Sequence, residues 1–394
     1  MINLRKREYD FWLLFTVLVL LALGTIMIFS ASSYNALYYI GNKYHYLIKQ
    51  LLVAAIGLIA MFIFSNIDYR RIAASSPVLM VISTVLLILV RIPGIGSNIN
   101  GSWRWFNFGP LSFQPSEFTK IAMILFLSFS LSKNSEKLRY FFTGLLPYLL
   151  VVGVTDALLF LEPHMSGIIL ITAVSVIILF AAGARIRHFL ALALPVAVLG
   201  WELIMSDTYR QERILSFLDP FKYATGSGFQ VVNSLYAIAS GSLFGRGLGK
   251  SLQKYLYLPE PHNDFIFSIL AEELGFVGAA TVIILFILFI WRGIRVAMNA
   301  PDMLGSLIAA GITSLVAVET IINIAVVTST VPATGMPLPF FSYGGTSLVF
   351  LMTSIGILLN ISKGSSAYGL RLQVDSSADL NMKRNLPNKK AGEY

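Results

Sequence analysis

Long apolar runs, separated by shorter polar segments, alternate along this sequence over most of its length. An α-helix rises 1.5 Å per residue, so it needs about 20 apolar residues to cross the hydrocarbon core of a bilayer. The pattern therefore predicts an all-α polytopic membrane protein with about ten transmembrane helices in one domain, residues 1–362. The predicted helices cover residues 10–30, 46–67, 72–93, 116–132, 142–161, 165–184, 188–205, 264–291, 303–330 and 342–362.

One connection and the C-terminal segment differ from the other, short polar segments. Residues 206–263, between the seventh and eighth predicted helices, hold apolar stretches and several glycines. Loops of this length are usually functional, and we expect amphipathic helices at the membrane interface within this one. Residues 363–394 are polar and lack periodicity, which predicts a disordered, basic tail on the cytoplasmic side.

Lysine and arginine are concentrated in alternate connections, and this bias predicts the orientation. Basic residues near helix ends favour the cytoplasmic side of a membrane. Arg5, Lys6 and Arg7 therefore predict a cytoplasmic N-terminus, and an even number of helices places the C-terminus on the same side. The outer side then receives residues 94–115, 161–165, 206–263 and 331–342.

The composition agrees with a membrane protein. Hydrophobic residues make up 56% of the chain and charged residues 12%, whereas soluble domains carry roughly 25% charged residues. The net charge of +9 is dispersed over short loops, which favours contact with anionic lipid over nucleic-acid binding. The chain has no cysteine, which excludes disulfides and a cysteine nucleophile, and its four histidines make a multi-histidine metal centre unexpected.

The first outer segment and the helix after it combine aromatic and charged residues. Trp103 and Trp105 flank Arg104, a pattern that fits either an interfacial aromatic belt or a substrate contact. Glu117 and Lys120 lie three residues apart and share one helix face. Because charges inside a membrane are costly, they form either a structural ion pair or part of a substrate site, and we favour the substrate site.

A second polar cluster, formed by Glu260, His262 and Asp264, precedes the eighth predicted helix. Aspartate is a common helix N-cap, so Asp264 has an ordinary structural interpretation. The density of polar groups where the chain enters lipid favours a functional one. Glu272 and Glu273 follow about two turns later, and we expect them to be structural partners of polar residues on other helices.

A third outer segment, residues 331–345, contains three prolines and three glycines, which exclude a regular helix. Irregular backbone at membrane depth is tolerated only where protein buries it or where it lines a cavity. Ser342, Gly344 and Gly345 offer hydroxyl and backbone donors to an anion, although this signal alone is not specific. Glu319 and Asn323, on the preceding helix, add polarity to the interior of the bundle.

Together these segments resemble the SEDS family of bacterial membrane proteins, named for shape, elongation, division and sporulation. The resemblance extends to about residue 362, and long motifs in a fixed order make it specific. The stretch GKSLQK at 249–254 looks more like the FtsW and SpoVE branch than the RodA branch. The motifs are GSWRW at 101–105 with FQPSEFTK at 113–120, GRGLG at 245–249, LPEPHNDFIF at 258–267 with AEELG at 271–275, and GMPLPFFSYGG at 335–345.

The resemblance implies a ten-helix peptidoglycan glycosyltransferase of the bacterial cytoplasmic membrane. Its substrate would be lipid II, an undecaprenyl-diphosphate-linked disaccharide peptide, polymerised at the outer face for division or sporulation septa. A class B penicillin-binding protein transpeptidase and other divisome or sporulation proteins would be its partners. Asp264 matches the proposed catalytic aspartate. The chain departs from the family at Glu162-Pro-His164, where Gln-Pro-Asp is frequent, and at Asn263, where threonine is common.

The implied reaction suits these residues. An acceptor hydroxyl attacks an anomeric carbon while a lipid pyrophosphate departs. Pyrophosphate is already a stable anion, so one carboxylate base suffices, and we assign that role to Asp264. Arg104 and Lys120 are the expected cations for the departing charge. Alternative cations lie in the long loop, at Arg210, Arg213, Arg246, Lys250 and Lys254.

A divalent cation such as Mg²⁺ or Mn²⁺ would also suit a pyrophosphate, but no ligand motif in the sequence specifies a metal. Two other functions fit a chain of this type, a lipid II flippase and a noncatalytic scaffold of the cell-wall machinery. Clustering of the charged residues at one face, and not at the midplane, disfavours a transporter. The predicted substrate-binding residues are Trp103, Arg104, Trp105, Gln114, Glu117, Lys120, Glu260, His262, Ser342, Gly344 and Gly345.

Overall fold

The fold is a bundle of long helices with a small antiparallel sheet at one end. The computed structural model describes residues 9–99, 102–108, 111–255, 257–259 and 261–384. The first half contains α1 (Phe11–Ile40), α2 (His45–Asn66), α3 (Tyr69–Ala74), α4 (Ser76–Leu89), β1 (Ser97–Ile99), β2 (Ser102–Phe108), β3 (Leu111–Phe113), α5 (Pro115–Asn134), α6 (Leu146–Leu161) and α7 (Met165–Ala181). The second half contains α8 (Ile186–Met205), α9 (Thr208–Leu218), α10 (Phe229–Ser240), α11 (Ile266–Met298), α12 (Met303–Val327) and α13 (Gly345–Arg384).

The all-α polytopic membrane architecture predicted from the sequence is confirmed. Each of the ten predicted apolar runs coincides with helical structure, although α4 ends at Leu89 and its run was predicted to reach residue 93. Two apolar helices, α4 and α7, are shorter than a usual crossing. Six described segments are long and apolar enough to cross a bilayer, namely Phe11–Ile40, His45–Asn66, Phe141–Leu161, Ile266–Met298, Met303–Val327 and Gly345–Gly364. The count of ten crossings stays a prediction.

Close helix contacts hold the bundle together. Helix α13 lies along α2, α12 lies along α11, and α1 packs against both α2 and α11. At Gly356 a β-carbon would lie 2.4 Å from the carbonyl oxygen of Met61, so the backbones of α13 and α2 approach too closely for any side chain there. Such small-residue contacts are typical of helices that associate in lipid.

At the end of the bundle away from the sheet, ion pairs join the helices. Arg292 on α11 binds the carboxylate of Asp10, which also caps α1. Asp302, the N-cap of α12, accepts hydrogen bonds from Tyr69 at 3.0 Å and from Arg70 at 2.8 Å. Because these residues sit at helix ends, their charges stay near polar surroundings while they fix α1, α3, α11 and α12 relative to one another.

The long loop predicted at 206–263 contains α9 and α10, followed by glycine-rich turns that fold over α11. Helix α11 is interrupted at Gly275, whose φ of 68° lies in the left-handed region. The break exposes backbone carbonyls that the loop uses, since the amides of Arg246 and Gly247 donate to the carbonyls of Glu272 and Glu273 at 3.0 Å each. The kinked helix and the loop therefore form one unit.

Glu272 and Glu273 were predicted to bind polar residues on other helices, and most of their partners are instead in this loop. Lys254 donates to Glu273 at 2.9 Å, and the amide of Leu252 donates to Glu272 at 2.9 Å. From another of the long helices, Ser30 of α1 donates to Glu273 at 2.5 Å. We call the contacts of residues 251–254 with Glu272 and Glu273 the loop latch.

The C-terminal segment differs from the predicted disordered tail over its described part. Helix α13 continues past residue 363 to Arg384. Proline is absent between residues 340 and 386 of the sequence, so no residue in this segment removes a helical hydrogen bond. Residues 385–394 lie outside the described part of the chain.

Candidate active site

Asp264 lies in the turn before α11 and lines a cavity of about 190 Å³ at the sheet end of the bundle. We call it the Asp264 cavity. Its walls come from β2, the first turns of α5, α7 and α13, α12, and the irregular segment 335–344. Seven residues predicted from the sequence line it, namely Arg104, Trp105, Gln114, Glu117, Asp264, Ser342 and Gly344.

The backbone around Asp264 is fixed by a side chain from α12. The amide nitrogen of Asn323 donates to the carbonyl oxygen of Asp264 at 2.8 Å and to that of Met336 at 2.7 Å. Asn323 is fully buried, so these bonds form away from water. A single amide group thus joins the turn that carries Asp264 to the segment that forms the opposite wall.

Segment 335–344 is also bonded directly to the residues before Asp264. The hydroxyl of Ser342 donates to the carbonyl of Asn263 at 2.9 Å and accepts from the amide of Leu338 at 2.7 Å. The amide of Tyr343 donates to the carbonyl of His262 at 2.9 Å. Ser342 was predicted to donate to an anion. It lines the cavity, but its hydroxyl donates to the backbone carbonyl of Asn263.

Gly335 is where this segment comes nearest to the Asp264 carboxylate. Its φ is +71°, and a β-carbon at this position would lie 3.3 Å from Oδ2 of Asp264. A left-handed backbone conformation is costly for residues with a side chain. Glycine here both permits the turn and leaves room around the carboxylate.

Glu117, Lys120 and Glu319 form a buried charge cluster beneath the cavity. The ammonium of Lys120 lies 2.8 Å from a carboxylate oxygen of each glutamate, which joins α5 to α12. Glu117 and Glu319 line the cavity, whereas Lys120 lies one layer deeper. Two carboxylates thus hold the Lys120 ammonium below the cavity, whereas Arg104 lines the cavity itself.

Arg104 reaches from β2 to the connection between α6 and α7. Its Nε donates to the carbonyl oxygen of Glu162 at 3.0 Å, and its Nη2 bonds the carbonyl oxygen of Pro163. The side chain of Glu162 is fully buried, and burial raises the pKa of this carboxyl to about 8 despite the nearby Arg104 and Arg91. Arg104 is thus held at the cavity wall by the backbone carbonyls of Glu162 and Pro163.

Three further residues predicted for the site, His262, Trp103 and Gly345, are not among the described residues that line the cavity. His262 is buried in an aromatic cluster, with its ring centroid 4.5 Å from that of Tyr46 and 5.8 Å from that of Tyr343. Trp103 is half-buried in β2, paired with Asn98 of β1. Gly345 begins α13, which lines the cavity from Ser347 onward. Glu260 lies outside the described residues.

Sequence reasoning missed or undervalued four residues that shape the site. Asn323 and Glu319 were recognised only as polar interior residues, since their spacing does not reveal which loop they face. His164 was set aside with its turn, yet it lines the cavity. Gly335 lies within a motif that was recognised from the sequence. No local pattern indicates that it approaches Asp264, because the two residues are 71 positions apart in the chain.

A comparison with protein-family models shows which family the chain belongs to. A family model described as "Cell cycle protein", covering FtsW, RodA and SpoVE, matches residues 11–367. The chain belongs to the FtsW/RodA/SpoVE family. This confirms the resemblance to SEDS proteins that the motifs indicated.

Curated members of the FtsW/RodA/SpoVE family are similar over nearly their whole length. Stage V sporulation protein E of Bacillus subtilis (strain 168) is 45% identical over 362 residues, which cover 92% of this chain and 99% of that protein. A probable peptidoglycan glycosyltransferase FtsW of Trichlorobacter lovleyi is 41% identical over 363 residues, covering 91% and 94% of the two chains.

Solved structures of family members share the fold. A chain from a structure described as "Structural coordination of polymerization and crosslinking by a peptidoglycan synthase complex" matches with a TM-score of 0.75 and 30% identity, covering 91% of this chain and 98% of that one. The crystal structure of the rod shape determining protein RodA of Thermus thermophilus matches with a TM-score of 0.66 and 27% identity, covering 90% and 97%.

Proposed function

We propose that this chain is a peptidoglycan glycosyltransferase that polymerises lipid II into glycan strands. The observation that carries the proposal is the Asp264 cavity, where one partly exposed carboxylate and the guanidinium of Arg104 line the same space. The chain is about 40% identical, over most of its length, to proteins named as probable peptidoglycan glycosyltransferases, and this similarity supports the same activity.

The reaction joins two sugars and releases a lipid pyrophosphate. The acceptor hydroxyl oxygen attacks the anomeric carbon of the donor, the bond from that carbon to the pyrophosphate oxygen breaks, and the hydroxyl proton passes to the Asp264 carboxylate. A positioned base of this kind contributes on the order of 10²–10⁴-fold in rate. The pyrophosphate leaves as an anion, and Arg104 stabilises the charge that develops on it.

The donor set at the cavity suits a divalent cation only if the substrate supplies most of the ligands. Among the described residues no group of three or more potential metal ligands occurs. Mg²⁺ is commonly held by one or two carboxylates together with substrate phosphates and water. Asp264 is the residue that would hold Mg²⁺ or Mn²⁺, and the ion would supply further charge stabilisation at the pyrophosphate.

The proposed setting is the bacterial cytoplasmic membrane, with both termini cytoplasmic and the Asp264 cavity at the outer face. Because the sequence has no cysteine, single cysteines report topology directly. Asp219→Cys, in the exposed outer loop, should react with an impermeant maleimide on intact spheroplasts, whereas Lys133→Cys, at the other end of α5, should react only after permeabilisation. The reverse pattern would contradict the orientation.

The proposed partner is a class B penicillin-binding protein transpeptidase, assembled with other divisome or sporulation proteins. The similarity to a chain from a peptidoglycan synthase complex supports such an assembly. The glycan strand made at the outer face is the substrate that a crosslinking enzyme requires, so coupling the two activities in one complex avoids release of an uncrosslinked strand.

Purified protein tests the proposed function when it is incubated with labelled lipid II, with and without the partner transpeptidase. We expect polymeric glycan strands that gel electrophoresis resolves and that muramidase digests. A parallel assay with lipid II in liposomes measures translocation between leaflets. Translocation without polymer, in the presence of the partner, would favour a flippase and contradict the proposal.

A further inference from the structure

The turn at residues 162–164, between α6 and α7, presents a histidine to the Asp264 cavity. His164 stands at the N-cap position of α7, yet its side chain makes no capping hydrogen bond. The imidazole lines the cavity and is more than nine-tenths buried, with 8% of its surface exposed. Its Nδ1 is buried and has no hydrogen-bond partner among the residues that the structure describes.

The local sequence makes room for the imidazole at this place. Gly167 lies one turn into α7, and a β-carbon there would lie 2.9 Å from Nδ1 of His164 and 3.0 Å from Cε1. The ring therefore rests on the bare backbone of α7. Arg104 holds the turn from the other side through the carbonyls of Glu162 and Pro163. Both contacts fix the ring at the cavity wall, and neither supplies a hydrogen bond to Nδ1.

The surroundings of His164 determine its charge. Burial, together with the nearby cations Arg104 and Lys120, lowers the pKa of His164 to about 3. The imidazole is therefore neutral at physiological pH and cannot serve as a cation for the pyrophosphate. A neutral imidazole has one N–H donor and one nitrogen acceptor. The complementary group on a ligand is an uncharged group that both donates and accepts, and a sugar hydroxyl has that property.

We propose that His164 is a substrate-binding residue that hydrogen-bonds a sugar hydroxyl of the lipid-linked saccharide in the Asp264 cavity. The proposal rests on the proposed function and refines it, since it divides the recognition of one substrate between two residues. Arg104 meets the charged pyrophosphate, and His164 meets the uncharged sugar. Nδ1, Cε1 and Cγ of His164 face Gly167, so the ring nitrogen that a hydroxyl in the cavity would meet is Nε2, on the opposite edge.

Substitution of His164 tests this role through substrate affinity. His164→Leu keeps the approximate size of the side chain and removes both polar nitrogens. We expect the KM for lipid II to rise about tenfold, the order expected for one lost hydrogen bond, while kcat changes little. His164→Asn keeps a neutral donor and acceptor and should restore much of the affinity. The matched control His188→Leu, on α8 away from the cavity, should leave KM unchanged.

Two measurements make the test independent of catalysis and of folding. Native mass spectrometry of the detergent-solubilised protein measures lipid II binding directly, and a thermal unfolding scan checks each variant. Between about pH 5.5 and 7.5 we expect the KM of the wild type to vary with pH in the same way as the KM of His164→Leu. His164 is neutral throughout this range, and the neutral form is the one that binds. If instead the affinity of the wild type alone falls as the pH rises through this range, the charged imidazole is the form that binds, and the proposal is overturned.

Different results would contradict the role of His164 and the glycosyltransferase activity on which it rests. If the wild type polymerises lipid II and folded His164→Leu binds it equally well, the role of His164 is wrong and the glycosyltransferase activity stands. If both His164→Leu and His164→Asn bind poorly to the same degree, the ring contributes shape and not hydrogen bonding. If binding depends on His164 but no polymer forms with the partner present, the binding role stands and the glycosyltransferase proposal is wrong.

Discussion

At the scale of single residues, the Asp264 cavity depends on groups whose positions are set by chain segments distant in sequence. Asp264, Arg104 and Glu117 were identified from sequence because charges at the edge of a membrane helix are costly and therefore conspicuous. Their assembly in one cavity depends on Asn323 and on segment 335–344, and nothing in the local sequence pattern indicates those bonds. Residue types were therefore predictable, whereas their hydrogen-bond partners were not.

Gly335 offers a test of how closely the Asp264 carboxylate must be positioned. Gly335→Ala places a β-carbon 3.3 Å from Oδ2 of Asp264 and strains a backbone with φ of +71°. Because displacement of a catalytic group by about 1 Å can cost roughly 10²-fold, we expect a fall in kcat of about ten- to a hundredfold. Steady-state polymerisation kinetics measure this change.

The matched control for Gly335→Ala is Gly249→Ala. Gly249 has a φ of +80°, so alanine is similarly strained there, but no atom lies within 4 Å of its β-carbon position. This variant should lose stability without losing kcat. Equal losses of kcat in the two variants would show that backbone strain, and not crowding of Asp264, is responsible.

Glu162 makes stability depend on pH. Its pKa in the folded protein is raised to about 8 by burial, whereas an unfolded glutamate titrates near 4.3. Between these values the unfolded chain releases a proton that the folded chain retains, so rising pH favours unfolding. Glu162→Gln removes this effect. We expect its melting temperature to equal that of the wild type near about pH 5 and to exceed it by several degrees near about pH 8, as measured in detergent.

A difference in melting temperature that stays constant over this range would contradict a buried, neutral Glu162. The control is Glu212→Gln, which removes an exposed carboxylate in α9. It should leave the pH dependence of the melting temperature close to that of the wild type.

At the scale of elements, the positions of the helices were predictable and their ends and interruptions were not. Helix α4 is shorter than its apolar run, because the chain leaves the helix after Val90 and turns toward β1. The strands within 94–115 were predicted only as an outer loop, since short segments carry a weak periodicity signal. At the break near Gly275, backbone groups of α11 bond to residues 242–247, about thirty positions earlier, and no local pattern encodes those bonds.

The loop latch carries an element-scale prediction. Lys254 and Glu273 are both buried, and their charged groups lie 2.9 Å apart. Removing one partner of a buried ion pair typically costs 3–5 kcal/mol, because the other charge is left uncompensated. Lys254→Met should therefore lower the free energy of unfolding by about 3 kcal/mol and weaken the packing of the long loop against α11. Thermal unfolding and limited proteolysis of residues 241–254 measure these effects.

The double variant Lys254→Met/Glu273→Gln is the control for this prediction. It removes both charges, so it should be more stable than Lys254→Met alone. If the double variant is at least as unstable as the single one, the pair contributes through shape or hydrogen bonding and not through charge compensation.

At the scale of the whole molecule, hydropathy predicted the polytopic helical architecture and the family motifs predicted the membership that the comparison confirms. The hydropathy pattern alone identified the chain as a membrane protein, because the length and polarity of a crossing helix are strongly constrained. The hydropathy pattern did not identify the reaction, because glycosyl transfer imposes no periodicity on a sequence. The extension of α13 to Arg384 was not predicted, because residues 363–394 are polar and lack periodicity.

The architecture places the proposed chemistry where its substrate can reach it. The Asp264 cavity lies at the end of the bundle that holds the sheet and the long loop, and the ion pairs of Asp10 and Asp302 close the other end. A lipid-linked sugar approaches such a cavity with its tail still in the bilayer. This arrangement fits a polymerase that works at one membrane face better than a transporter with a site at the midplane.

The measurement that tests the central claim most directly is polymerisation of labelled lipid II by Asp264→Asn, purified with its partner transpeptidase. The variant keeps the size of the side chain and loses the base, so we expect a loss of at least about 10²-fold in rate with unchanged insertion, melting temperature and partner binding. Asp219→Asn, an exposed aspartate of the long loop, is the matched control and should polymerise lipid II as the wild type does. Full polymerase activity in folded Asp264→Asn would contradict the account.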